Sequence, residues 1–338
     1  MTLIFAQKHM NLPKSIALTC CVLLALSGNG VSAKAPEVRS GNSRRTFADW
    51  CREKDSLSPE TNHTIELLLK EAGTTECDAA NQKLSTVTQL DLKVKEISDL
   101  KPLQSLTNLT VLDLRNNNIS DIKPLQYLTN LIYLNLDSNQ ISDIKLLQSL
   151  TNLTVLLLDN NQISDIKPLQ SLTKLTSLFL NNNLLGDIKP LESLTNLTLL
   201  FLSNNKISNI KPLESLTNLK MLFLETNQIS DIKPLESLTN LGFLVLGYNQ
   251  ISDIKPLESL TNLRVLDLLV NQIRDIQPLE SLINLTRLVL TNNQISDIKP
   301  LESLTNLTEI LLSGNPIAPK TCPLKPESIC KWKPPNEP

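Results

Sequence analysis

The side chains best suited to catalysis or metal binding are scarce in this sequence. Its 338 residues include six Cys and only two His, His9 and His63. It contains no phosphate-binding glycine loop, no nucleophile elbow and no His-Glu-x-x-His zinc motif. Because His63 has no evident catalytic partner, a polar surface role is favoured for it. The sequence therefore predicts a protein that is not an enzyme and that needs no cofactor or metal.

The N-terminal segment has the layout of a secretory signal peptide. Lysines precede an apolar run at residues 16–26, and a small-residue triplet ends at Ala33, which is the order typical of such signals. We therefore expect a signal peptide at residues 1–33 and an exported protein, periplasmic or secreted. A bilayer-spanning helix needs about 20 apolar residues, so this run predicts no membrane span. Both Met1 and Met10 remain possible starts.

Four cysteines follow the signal peptide in two pairs that are close in sequence. Cys51 and Cys77 precede the repetitive region described below, and Cys322 and Cys330 follow it. An even number of cysteines in an exported chain indicates disulfides, and the intervening array favours the two local pairings. The array also opposes a four-cysteine zinc site, which would need all four sulfurs around one ion.

Most of the chain is a repeat with a period of 22 residues. The unit that starts at Leu109 reads LTVLDLRNNNISDIKPLQYLTN, and its pattern of leucines, with an asparagine after the L-x-L step, recurs in register. This is the leucine-rich repeat pattern. Ten full units and an eleventh, partial one begin at Val87, Leu109, Leu131, Leu153, Leu175, Leu197, Leu219, Leu241, Leu263, Leu285 and Leu307.

The repeats define the domain organisation. After the signal peptide we expect a flexible linker at 34–45, a helical N-terminal cap at 46–86, the repeats at 87–317, and a C-terminal cap and tail at 318–338. Within the first cap, Ser58 and Pro59 have the types of an N-cap and a first-turn residue, and Gly73 ends the apolar helical spacing. This helix should lie over the first repeat.

Each unit predicts one coil of a stacked array. One coil cannot shield its apolar residues from water, so its neighbours must cover them. In the unit from Leu109 these residues are Leu109, Leu112, Leu114, Ile119, Ile122, Leu125 and Leu128. Apolar and polar residues alternate at 111–115, which predicts a strand of a parallel sheet. Asn117 can satisfy the buried backbone of the following turn, and Pro124 excludes a long helix on the other side.

The phrase ISDIKPLxxLTNL, at residues 119–131 and again at 295–307, resembles the internalin-type leucine-rich repeat proteins of bacteria. The resemblance covers residues 87–317. It implies an α/β fold, a right-handed solenoid with a parallel sheet on the concave side, irregular or 3-10 turns on the convex side, and ligand binding on the concave sheet. The cysteine-bearing end caps, and the lack of an immunoglobulin-like module or wall-sorting tail, depart from internalins. Binding of a host receptor is therefore not implied.

Function is expected where the units differ, because the repeated residues build the coil. The third, fifth and seventh residues of each unit should be displayed on the sheet. In the early units they include Tyr133 and the acids Asp113, Asp137 and Asp159. In the later units they are apolar: Phe179, Leu199, Phe201, Met221, Phe223, Phe243 and Val245, with Tyr248 just beyond a strand. We predict that these residues bind a protein or peptide ligand, the acids favouring a basic segment.

Two interpretations of the phenylalanines remain open. As exposed anchors they would form a binding site, since large exposed apolar patches usually mark interaction surfaces. Rings at one strand position of adjacent units would also stand about 4.8 Å apart. They could then stack on one another and serve only the structure.

The charge of the chain excludes other kinds of partner. With 32 basic and 34 acidic residues, the chain has no positive excess for a nucleic-acid backbone. The Asp and Lys rows of the convex side neutralise each other, which opposes a calcium site. The leading interpretation is a monomeric protein-binding scaffold. The alternative is a self-associating component of the cell envelope or extracellular matrix.

The disulfide prediction can be checked directly. Mass spectrometry of unreduced peptides should show Cys51 linked to Cys77 and Cys322 linked to Cys330. Free thiols at these positions would contradict maturation in an oxidising compartment. Reduction should loosen the ends of the array before its middle, because the stability of a repeat protein is a sum over units and their interfaces.

Overall fold

The computed structural model describes residues 45–333, so the predicted signal peptide, all of the linker except Arg45, and residues 334–338 lie outside the described part. The chain divides into two compact units, Met1–Ile163 and Ser164–Pro338, each of which is described by itself. The division falls inside the fourth repeat. Within residues 45–333, no helix has the length and apolar character needed to cross a membrane.

Three helices open the described part of the first unit. They are α1 (Phe47–Arg52), α2 (Pro59–Ala72) and α3 (Cys77–Leu84), with a 3-10 turn at Lys54–Ser56. The predicted helix is α2: the Ser58 hydroxyl accepts a hydrogen bond from the Thr61 N–H at 3.3 Å, and Gly73 ends the helix with a φ of 64°. A left-handed residue at this point suits glycine, which has no Cβ to clash.

The helices are joined to each other and to the first repeat. The predicted disulfide between Cys51 and Cys77 is present and links α1 to the start of α3, with 5.6 Å between the Cα atoms. On the apolar face of α2, Ile65 and Leu68 are fully buried. The Thr64 hydroxyl donates a hydrogen bond to the carbonyl of Asp99 at 2.8 Å. The prediction that this helix covers the first repeat is therefore confirmed.

Each repeat contributes a short strand, and each of the ten full repeats also contributes a 3-10 helix. The strands of the first unit are β1 (Gln89–Asp91), β2 (Val111–Asp113), β3 (Tyr133–Asn135) and β4 (Val155–Leu157). They pair in parallel and in chain order, with Gln89 opposite Val111. The 3-10 helices are Lys101–Ser105, Lys123–Tyr127 and Lys145–Ser149. The repeat period thus sets the register of the sheet.

The second unit continues the same pattern. Its strands are β5 (Ser177–Phe179), β6 (Leu199–Phe201), β7 (Met221–Phe223), β8 (Phe243–Val245), β9 (Val265–Asp267), β10 (Arg287–Val289), β11 (Glu309–Leu311) and β12 (Cys330–Lys331). Its 3-10 helices are Lys167–Ser171, Lys189–Ser193, Lys211–Ser215, Lys233–Ser237, Lys255–Ser259, Gln277–Ser281, Lys299–Ser303 and Glu327–Ile329. The predicted leucine-rich repeat fold is confirmed in both units.

The predicted leucines and isoleucines form the core. In the repeat that begins at Leu109, six of the seven inward residues are 0% exposed and Ile122 is 3% exposed. Each such side chain stabilises the fold by about 1.5–3 kcal/mol when fully buried. Because the coil is narrow, the side chains of adjacent coils complete this burial.

An asparagine follows each strand from β2 to β11, and within each compact unit it ties one coil to the coil before it. The side-chain oxygen of Asn117 accepts hydrogen bonds from the N–H groups of Lys95 and Ile97, both at 3.0 Å. Its amide nitrogen donates to the carbonyls of Leu92 and Leu114 at 2.9 and 2.8 Å. The predicted role of this residue is confirmed. The first repeat has no coil before it, and there the position is held by Lys95.

The C-terminal cap closes the second unit with a strand that the repeat pattern does not predict. The predicted disulfide between Cys322 and Cys330 is present, with 5.8 Å between the Cα atoms. Ile310 pairs with Cys330 in parallel register, and the Leu312 N–H donates to the carbonyl of Lys331 at 2.9 Å. Backbone groups at the edge of β11 are therefore hydrogen-bonded to the cap.

Replacing one of the linking asparagines tests their contribution. Asn161→Ala removes the acceptor of the Ile141 N–H and the donor to the carbonyls of Leu136 and Leu158. Leaving such buried groups unsatisfied costs about 1–3 kcal/mol each, so we expect denaturant unfolding to show a loss of about 3 kcal/mol. The adjacent exposed residue supplies the control, Gln162→Ala, which should change stability by less than about 0.5 kcal/mol. Equal effects would show that the amide is not the link.

Candidate binding face

In the first unit, several side chains on the displayed side of the sheet are buried. Tyr133 is 6% exposed and Asp159 is 2% exposed, so the expectation that both are displayed is wrong. Asp137 uses Oδ1 to accept a hydrogen bond from the Asp159 N–H at 2.8 Å. Asp113 accepts from the Arg115 N–H at 3.1 Å and also pairs with the Arg115 guanidinium at 3.4 Å. Asp113 and Asp137 therefore hold nearby backbone.

Burial also disfavours ionisation of the acidic groups in this region. It raises the pKa of Asp113. Burial, together with the charge of Asp159, raises the pKa of Asp137 well above its ordinary value. Burial likewise raises the pKa of Tyr133 to about 12. The carboxyl groups of Asp113 and Asp137 are therefore harder to ionise than the sequence alone predicts.

Three phenylalanines of the second unit form a stack, which we call the phenylalanine stack: Phe179, Phe201 and Phe223. Adjacent ring centroids are 4.4 Å apart in both pairs, with interplanar angles of 8° and 11°. The three residues are only 5%, 9% and 6% exposed. The expectation that they are exposed is wrong, because equivalent positions of parallel strands bring the rings face to face. Val245, next in register after Phe223, is also buried.

A second column on the same face stays accessible. We call it the apolar column: Leu199, Met221, Phe243 and Val265, which are the third residues of four successive repeats and are each half-buried. They lie opposite one another in register along β6 to β9. Phe243 belongs to this column and not to the phenylalanine stack. Tyr248, after β8, is 41% exposed.

Two carboxylates that the sequence analysis did not select lie beside these columns. Asp267 ends β9 and is 7% exposed, and its Oδ1 accepts a hydrogen bond from the Leu269 N–H at 2.9 Å. Burial raises the pKa of Asp267 to about 6. Burial and the charge of Asp267 raise the pKa of Glu225, two residues after β7, to about 7. Acids that are buried, as Asp267 is, or half-buried, as Glu225 is, are costly to ionise.

The turn after each strand adds an unusual set of residues to this face. The eighth residue of every repeat has a left-handed backbone, and five of the eleven are Asn, which tolerates that conformation. Tyr248 and Val270 adopt it with φ of 53° and 51°. A bulky or β-branched side chain is disfavoured there, so these two positions retain apolar side chains despite backbone strain.

Other candidate chemistry is not assembled in the described residues. Within residues 45–333, no three His, Cys, Asp or Glu side chains are grouped so as to hold a metal ion. His63 is exposed on α2, and its Nε2 lies 2.6 Å from the carbonyl oxygen of Lys95. This histidine therefore connects the N-terminal cap with the first repeat.

Asp267→Asn tests whether this buried carboxylate destabilises the fold. Its pKa is about 6 in the folded protein against an ordinary value of 3.8, so the folded state binds more protons than the unfolded state between those values. The free energy of unfolding must then fall as pH rises through this window, by about 3 kcal/mol for this group. Since asparagine can still accept the Leu269 N–H, the variant should be more stable than the wild type at about pH 8 and gain little near pH 4.

Denaturant unfolding across this pH range provides the measurement. Glu236→Gln, at an exposed 3-10 position, is the control and should leave the pH profile of stability unchanged. A wild-type protein whose stability does not fall between these pH values, with Asp267→Asn no more stable at the upper end, would contradict the assignment.

Comparisons with known proteins agree with this architecture. A family model described as Leucine Rich repeats (2 copies) matches residues 85–127, 107–149, 129–171, 151–193, 195–237, 239–281 and 283–325. A comparison with curated proteins gave no match.

Several solved structures are similar to the chain. An internalin (inlF) from Listeria monocytogenes is 37% identical with a TM-score of 0.72, over 75% of this chain and 76% of that one. An internalin C2 from Listeria monocytogenes is 34% identical with a TM-score of 0.57, over 60% and 91% of the two chains. A leucine-rich repeat protein from Leptospira interrogans is 28% identical with a TM-score of 0.64, over 71% and 70%. With the repeats, the parallel strands and the 3-10 helices described above, these similarities show that the chain belongs to the leucine-rich repeat proteins of the internalin type.

Proposed function

We propose that the protein is an exported, non-enzymatic scaffold that binds a protein or peptide on the open face of the sheet in its second unit. The observation that carries this proposal is the apolar column, an accessible row of Leu199, Met221, Phe243 and Val265 on a face where water could be displaced. Accessible apolar patches of this kind usually mark interaction sites. Leucine-rich repeat proteins commonly use their sheets for this purpose.

The phenylalanine stack supports the column. Its rings stack on one another with centroids 4.4 Å apart, on the same face of the sheet as Met221 and Phe243. Stacked, buried rings lower the conformational entropy lost on binding, because few additional side chains must be ordered. We therefore assign direct contact to Leu199, Met221, Phe243 and Tyr248, and a supporting role to Phe179, Phe201, Phe223 and Val245.

The two caps support export and a monomeric state. Disulfides persist in oxidising compartments such as the periplasm and the cell exterior, and Cys51–Cys77 and Cys322–Cys330 are both bridged. The first repeat is covered by α2 and the last by β12. The end strands β1 and β12 have only three and two residues, and such short edge strands offer little backbone for pairing with a second chain. This argues against the alternative of a self-associating envelope component.

The binding proposal predicts a loss of partner when the apolar column is made polar. The double variant Met221→Ser, Phe243→Ser should weaken binding by at least about 2 kcal/mol, because truncating central anchors removes hot-spot contacts. Both side chains are half-buried, so the fold should survive, which circular dichroism can verify. The measurement is quantitative mass spectrometry of proteins retained from the exported fraction of the source cells.

A matched control exists elsewhere in the chain. Leu184 and Ile283 are 46% and 54% exposed and lie outside the strands, so Leu184→Ser, Ile283→Ser removes exposed apolar surface from another place. This control should retain the same proteins as the wild type. Unchanged retention by the variant of the apolar column would place the binding site elsewhere, on the caps or on the 3-10 side.

A further inference from the structure

Three successive repeats of the second unit depart from the repeat pattern at a position beside the apolar column. The second residue of a repeat directly precedes the strand, and in the other four repeats that begin in this unit it is threonine: Thr176, Thr198, Thr286 and Thr308. In the three repeats that depart, it is Lys220, Gly242 and Arg264. The residues that follow these three are Met221, Phe243 and Val265. The departure is therefore confined to strands that carry the apolar column.

The threonines at this position have a structural role. The Thr198 hydroxyl donates a hydrogen bond to the carbonyl of Thr176 in the preceding coil at 3.1 Å, and the Thr308 hydroxyl donates to the carbonyl of Thr286 at 2.9 Å. Lysine, glycine and arginine have no hydroxyl, so the three departing repeats lack this link between coils. Positions where a sequence gives up a stabilising local rule are expected at functional sites.

The charges of Lys220 and Arg264 are not neutralised by the described part of the chain. Both residues are exposed, and within residues 45–333 neither side chain forms an ion pair or a hydrogen bond. The three basic residues at displayed strand positions, in contrast, each pair with an acid: Arg287 with Glu309 at 2.6 Å, Arg115 with Asp113 at 3.4 Å, and Lys93 with Asp91 at 2.6 Å. Two unpaired cations beside an accessible apolar surface complement an anionic group of a partner.

Gly242 leaves room between the two cations. The Gly242 N–H donates to the carbonyl of Lys220 at 2.9 Å, and the Arg264 N–H donates to the carbonyl of Gly242 at 2.9 Å, so the three residues are aligned in adjacent coils. At about 4.8 Å per strand, the backbones of Lys220 and Arg264 stand about 10 Å apart. Apart from its chain neighbours, a Cβ on Gly242 would have only the carbonyl oxygen of Lys220 within 4 Å, at 3.8 Å. A carboxylate can therefore enter between the two side chains.

We infer that the segment bound by this face is a peptide chain in which an aspartate or glutamate adjoins a large apolar residue. Its carboxylate lies between Lys220 and Arg264, and its apolar residue packs on Met221 and Phe243. Arginine suits this partner because its planar guanidinium can form two parallel hydrogen bonds with one carboxylate. The inference rests on the proposed function and adds the charge of the partner and the place of that charge. It also reverses the sign of the partner's charge that the sequence alone predicts.

Selection of peptides from a random display library on the full-length protein tests the inference. The wild type should enrich peptides in which an acidic residue adjoins a large apolar one. The double variant Lys220→Thr, Arg264→Thr, which restores the threonine of the other repeats, should bind a selected peptide about fivefold more weakly, a loss typical of two exposed ion pairs. This difference should shrink at high salt, which screens exposed charges. Replacing the acidic residue of that peptide by its amide should cause a similar loss with the wild type and little further loss with the variant.

A matched control separates charge at this site from net charge. Lys233→Gln, Lys255→Gln removes two positive charges at exposed 3-10 positions, where the repeat that begins at Leu263 itself has Gln277. This variant should bind the selected peptide as the wild type does. Denaturant unfolding of each variant verifies that it is folded.

The possible failures differ from one another. If the wild type enriches apolar peptides without an acidic residue, and Met221→Ser, Phe243→Ser abolishes that enrichment, the face binds peptides but the inference about charge is wrong. The inference is also wrong if Lys220→Thr, Arg264→Thr binds the selected peptide as tightly as the control does. If the wild type enriches nothing that Met221→Ser, Phe243→Ser does not also enrich, the proposed function itself is wrong and the inference falls with it.

Discussion

The hydrogen bonds of the buried asparagines hold successive coils together, and the rest of the architecture depends on them. An amide such as that of Asn117 serves the turn of its own repeat and the turn of the repeat before it. Without this amide, several backbone groups would be buried without hydrogen bonds. The resulting loss of stability would be large compared with the small free energy of unfolding of a folded protein. Since this bond fixes the separation and register of the coils, the leucines meet and the strands pair. The open face of the sheet is then free to vary in sequence.

Much of this structure follows from the sequence because it is local and repeated. The leucine and isoleucine spacing, the asparagine after each strand and the proline on the opposite side each specify one part of a coil, and ten copies remove ambiguity. The helix from Pro59 to Ala72 is equally well marked by Ser58 and Gly73. The strand formed by Cys330 and Lys331 has no such pattern. It forms because the last coil presents unpaired backbone groups, which is a property of the assembled array.

The binding face is harder to predict, because burial there depends on neighbours 22 residues away. The position of Phe201 in its strand indicates the side on which its ring lies, but not that Phe179 and Phe223 cover both faces of the ring. The environment of Asp267 is likewise set by neighbouring coils, with Gly247 on one side and Arg287 on the other. A sequence pattern predicts on which side of the sheet a side chain lies. Accessibility and charge state need the packed structure.

The one-to-one linkage between adjacent coils bears on how such a protein changes over generations. Within each compact unit, an asparagine such as Asn117 or Asn249 bonds to its own coil and to the preceding one, so adding or deleting a whole repeat preserves every type of bond. Near-identical units invite unequal recombination, and the scaffold would tolerate the resulting change in copy number. The face would not tolerate it equally everywhere. Within the second unit, a duplication between Leu197 and Leu219 lengthens the apolar surface, whereas one between Leu241 and Leu263 moves Asp267 away from Glu225, whose pKa it raises.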